Sequence, residues 1–78
     1  GITHLAREAL GKYLEKHPQE LLPGHKIFIE NYLVTRLNIK SVKTNDVITF
    51  KSEDISQVIE KSKALNEHQL QAWSKYVK

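Results

Sequence analysis

The side chains best suited to chemistry fall in one stretch of the chain: Arg36, Lys40, Lys43, Thr44, Asn45 and Lys51. Each cation can pair with a phosphate, and Thr44 and Asn45 add neutral hydrogen-bonding groups between them. Contacts of this kind need charge at suitable spacing and no particular base. The group therefore reads as a non-specific nucleic-acid-binding surface. Charge bookkeeping points the same way. Residues 26–51 carry five basic and two acidic side chains, and five minus two is the whole net charge of +3, because residues 1–25 hold three of each sign and 52–78 four of each. Lysine has a competing use, since it also guards exposed strand edges against aggregation. On that reading the lysines only keep the protein dispersed.

The search for catalysis is negative. The chain has no cysteine, and its three glycines, at 1, 11 and 24, form no phosphate-cradling loop. His4, His17, His25 and His68 lack the spacing that places two ligands on one helical face. His17 and His25 flank a proline-containing turn and read as solvated loop residues. Glu53 and Asp54 are adjacent, so on a helix they point about 100° apart and cannot pair across a substrate. A pocket of roughly 300–1,000 Å³ is also hard to enclose in so small a domain. The expectation is a non-enzyme with no cofactor and no metal site.

Two aromatic residues near the end belong to a second class of function. Trp73 shares a helical face with Leu70 and Val77 and reads as a core anchor. Tyr76 falls beside that stripe, close to Lys75, where a partly exposed ring could dock a protein partner. The alternative function is accordingly a helical protein-interaction or self-assembly module.

These residues must be positioned by one small core. Seventy-eight residues form one domain, residues 1–78, with 40% apolar content to fill it. Gly1 in place of an initiator methionine suggests a fragment of a longer protein, whose other domains are further candidate partners. No apolar run approaches the roughly 18 residues of a membrane span, so no membrane partner is expected. The missing cysteines fit an intracellular place, cytoplasm or nucleus.

Ile2, Leu5, Ala6, Ala9, Leu10, Tyr13 and Leu14 recur at three- and four-residue intervals and predict a helix capped by Thr3 and ended before Pro18. Gly11 costs that helix about 1 kcal/mol relative to alanine. Pro18 to Leu22 is expected as one helical turn, followed by a turn at Pro23-Gly24. His25 to Leu37 is apolar around most of its circumference, with a polar gap at Asn31, Thr35 and Asn38, and reads as a central helix. A strand over Lys26–Glu30 competes with it. Residues 39–43 and 47–51 have strand composition around the turn Thr44-Asn45-Asp46, which predicts a short hairpin. Ser52 is expected to cap a third helix with a buried stripe at Ile55, Val58, Ile59 and Leu65. Asn66 with Gln69 predicts a capping box for a last helix over 67–77.

The predicted fold is mainly α: a four-to-five-helix small domain with a short β-hairpin after the central helix, winged-helix-like at best. A plain helix-turn-helix is excluded by the long join around Pro18 and Pro23. The expected core is Leu10, Leu14, Phe28, Ile29, Leu33, Leu37, Ile55, Ile59, Leu70 and Trp73.

Overall fold

A computed structural model describes residues 2–37 and 50–76, with the side chains of Ile2 and Leu37 outside the description. Among the described residues the chain is helical, with no strand. Helix α1 spans Ile2–Lys16, α2 spans Pro23–Tyr32 and runs on as a single π turn over Leu33–Leu37, α3 spans Ser52–Lys63, and α4 spans Glu67–Ser74. The predicted hairpin lies outside the described residues except for its last two positions. Phe50 and Lys51 are not in a strand. Phe50 packs half-buried against the core, and Lys51 occupies the N-cap position of α3 with extended backbone.

The central helix is central for the reason its composition implies. α2 contacts α1, α3 and α4, so an apolar side chain finds a neighbour in nearly every direction. Ile29 and Leu33 are fully buried, joined by Ala6 and Leu10 of α1 and by Ile55, Val58 and Ile59 of α3. Asn31 and Thr35 of the expected polar gap are exposed, and Asn38 lies outside the described residues. The Thr35 hydroxyl donates to the Asn31 carbonyl at 2.8 Å where the helix widens into its π turn. The strand over Lys26–Glu30 is excluded, since α2 covers that stretch.

Several expectations are corrected. Thr3 is not a cap, because α1 already begins at Ile2. Residues 18–22 form no helical turn, and Pro23-Gly24 is not a free turn but the start of α2. Proline fits there because its missing N–H would find no partner in the first turn. The Leu22 N–H instead donates to Nδ1 of His25 at 3.0 Å. Ser52 is the first helical residue and not the cap. The Lys51 carbonyl accepts from the Ile55 N–H at 3.0 Å, and no side chain caps α3. Glu53 and Asp54 do lie in its first turn, where the helix dipole favours them.

The Asn66–Gln69 box forms in both directions. Asn66 Oδ1 accepts from the Gln69 N–H at 2.8 Å, and Gln69 Oε1 accepts from the Asn66 N–H at 2.9 Å. The helix it opens ends at Ser74, with Val77 outside the described residues. α4 packs on the outer side of α2. Leu70 and Trp73, expected in the core, are therefore only half-buried, and no residue of α4 is fully buried. Leu14 and Phe28 lie half-buried against the core, and Leu37 falls outside the described side chains.

Two buried polar residues were not expected, Glu30 and Ser62. The Ser62 hydroxyl donates to the Ile59 carbonyl at 2.7 Å, which satisfies it without a partner helix. Glu30 is met from α1: Arg7 Nε donates to both carboxylate oxygens at 3.3 Å, and Nη2 donates to Oε1 at 3.2 Å. Burying a carboxylate costs several kcal/mol unless it is paired and hydrogen-bonded in this way.

Candidate functional site

The predicted site residues divide into those the structure gathers and those it separates. Arg36 sits exposed on the π turn, one turn beyond Tyr32, with its guanidinium carbon 5.8 Å from the Tyr32 ring centroid. From α3, Lys61 brings its Nζ to 5.9 Å from the same centroid. Two cations from different elements thus converge on one half-buried ring. Both remain exposed to solvent. Neither belongs to any of the ion pairs among the described residues, which join Arg7 to Glu30, Lys63 to Glu60 and His4 to Glu8. Glu60, next to Lys61 in the chain, directs its carboxylate to Lys63 at 3.4 Å. Among the described residues, no carboxylate pairs with the charge over Tyr32.

Lys51 stands apart from this pair. It is exposed at the start of α3, ten residues before Lys61, and at 1.5 Å per residue that is about 15 Å along the helix. Lys40, Lys43, Thr44 and Asn45 lie outside the described residues. Lys61 was missed by sequence reasoning. Its convergence with Arg36 is a meeting between elements and leaves no local signal.

From Tyr32 a row of rings crosses α2 to the end of α4. Tyr32 and Phe28 are 5.7 Å apart between centroids, Phe28 and Trp73 meet edge to face at 5.6 Å, and Trp73 and Tyr76 are 5.6 Å apart. Such spacings are those of favourable aromatic pairs, worth about 0.5–1.5 kcal/mol each. The inner rings fasten α4 to α2. The last does not, because Tyr76 is 66% exposed, with the exposed Lys75 beside it. Neither protein-family models, nor curated proteins, nor solved structures provide a match to this chain. The functional reading rests on the geometry alone.

The histidines flanking the proline segment do different things. His17 packs its ring on Tyr13, with centroids 4.6 Å apart, while His25 accepts at the start of α2. Among the described residues no three His, Asp or Glu side chains converge as metal ligands would. No helix among them is long and apolar enough to cross a membrane.

The exposure of Tyr76 carries an expected result. Tyr76→Ala should lose its contact with Trp73 and little more, a cost of at most about 1.5 kcal/mol. A buried aromatic would cost about 3–5 kcal/mol. Thermal unfolding of the variant distinguishes the two, and a loss in the higher range would return Tyr76 to the core.

Proposed function

We propose that this domain is a non-enzymatic module that binds nucleic acid through its phosphates, without sequence preference. The convergence of Arg36 and Lys61 on the Tyr32 ring carries the reading. Two cations that enter no ion pair among the described residues, held by different elements, offer charge to a backbone, and the aromatic row ending at Tyr76 offers faces on which an unpaired base can stack. Lys40, Lys43, Thr44 and Asn45 continue the same basic stretch of sequence, in the place a wing would occupy in a winged-helix-like arrangement. Lys51 and Lys75 supply outlying charge. A partner of this kind fits work inside the cell.

The test is a titration of a labelled random duplex and a labelled oligothymidylate at several salt concentrations. Changing Arg36 and Lys61 together to glutamine should weaken binding to every sequence alike. Each lost phosphate contact should lower the salt slope by about one. Adding Lys40→Gln and Lys43→Gln should lower it further. The double variant should stay folded, because exposed cation–π contacts contribute only about 0.5–1 kcal/mol each. Unchanged affinity in a folded double variant rules the site out.

A further inference from the structure

Where α1, α2 and the end of α4 meet, Thr3, Arg7, Glu30, Asn31, Trp73 and Tyr76 line an open hollow of about 380 Å³. Its two charged lining residues neutralise each other, since the Arg7 guanidinium bonds both oxygens of the Glu30 carboxylate. The walls therefore carry no net charge. What they offer is neutral hydrogen bonding. Thr3 and Asn31 are exposed, and their side chains enter no hydrogen bond among the described residues. A hydroxyl and an amide can each donate and accept. Arg7 adds donors alone: Nε and Nη2 bond Glu30, while Nη1 bonds no described group.

The rest of the lining is aromatic. Trp73 is held in plane by the edge-to-face contact with Phe28, at 5.6 Å. Tyr76 tilts against Trp73 at 52° and stays 66% exposed. A flat, uncharged ring with donors and acceptors along its edge suits this combination. Its face lies on Tyr76 and its edge meets Thr3 and Asn31. A purely apolar side chain would leave those polar groups without partners, and an ion would find no opposite charge.

We propose that this hollow receives one unpaired nucleobase of a single strand. The inference rests on the phosphate reading of Arg36 and Lys61 and adds to it a seat for a base. The row of rings joins the two. Tyr32, beneath both cations, is linked through Phe28 and Trp73 to Tyr76 by ring-to-ring steps of 5.7, 5.6 and 5.6 Å. A backbone that follows the row passes from the cations to the hollow. In a duplex each base has its faces stacked and its edge paired, so only an unpaired base can lie on Tyr76. Thr3 and Asn31 can serve any base, because each presents both a donor and an acceptor. The seat is thus compatible with binding without sequence preference.

The probes are an oligothymidylate of about ten nucleotides and an abasic phosphodiester strand of the same length. Both carry the phosphates, and only the first carries bases. The oligothymidylate should bind at least about fivefold more tightly, the lower end of what stacking one base contributes. It should also quench the emission of Trp73, the one tryptophan of the chain, while the abasic strand leaves that emission unchanged at saturation. Tyr76→Ala should bring the two strands level, Tyr76→Phe should keep them apart, and Asn31→Ala should narrow the difference. Changing Arg36 and Lys61 together to glutamine should instead weaken both strands. The inference falls, with the phosphate reading still standing, if the two strands bind alike or if their difference survives Tyr76→Ala. It falls together with that reading if neither strand binds. It also falls if sedimentation shows a self-associating parent that Tyr76→Ala makes monomeric, for Tyr76 would then anchor an interface between copies.

Discussion

Leu33→Ala is expected to cost this domain about 2–5 kcal/mol, the range for emptying a fully enclosed leucine site. Leu33 has no solvent exposure and stands where α2 passes into its π turn, in one cluster with residues of α1 and α3. All three helices lose packing at once, and rigid helices cannot close evenly on the void. A domain of this size has about 4–12 kcal/mol of stability in all, so the variant sits near the edge of folding. Chemical denaturation should show the midpoint falling with little change in slope. A loss below about 1 kcal/mol would mean that the α2 axis can shift to fill the space, and that Leu33 is not the keystone of the core.

Gly24→Ala is the second large effect, and its sign opposes the ordinary helix rule. Alanine normally stabilises a helix relative to glycine. At Gly24 the new Cβ would collide with the Leu70 carbonyl oxygen, and it would also lie 3.1 Å from that residue's carbonyl carbon and Cα. The obstacle is main chain and cannot swing aside. Either α4 is pushed off α2 or the start of α2 distorts, at a cost of about 1–3 kcal/mol or more. The measurement is thermal unfolding of Gly24→Ala beside Gly11→Ala, two identical exchanges expected to move stability in opposite directions. A stabilised Gly24→Ala would show that the α2–α4 approach is looser than the structure has it.

Much of the fold is legible in local pattern. The α1 stripe, the apolar central helix with its gap at Asn31 and Thr35, and the Asn66–Gln69 box are all periodicity or short-range hydrogen bonding. What escapes the pattern is decided between elements. Pro23-Gly24 suits a turn or a helix start equally well, and the close seat of the Leu70 backbone on Gly24 belongs to the second arrangement. Nothing local marks Glu30 as buried, because its partner Arg7 lies 23 residues earlier on another helix. Ser52 has the composition of a cap, yet the helix begins one residue sooner and leaves Lys51 in that place. Of the candidate site, Arg36 was found from charge alone. Tyr32 and Lys61 were not, because a tyrosine on one element and a lysine on another gain their meaning only from each other. Lys40, Lys43, Thr44 and Asn45 fall where the described residues stop.

The chain holds a single tryptophan, and it is Trp73, whose ring meets the edge or face of Phe28 across the α2–α4 contact. Its emission therefore reports one junction, while far-ultraviolet ellipticity reports every helix together. α4 has eight residues, none fully buried, and it packs on α2 alone, so local opening is expected to begin there if that one contact gives way. Under mild denaturant the two signals part company: the indole emission shifts at concentrations where most of the ellipticity is still in place. Separate curves would mark α4 as a unit that opens apart from the other three helices, and coincident curves would mark one cooperative domain.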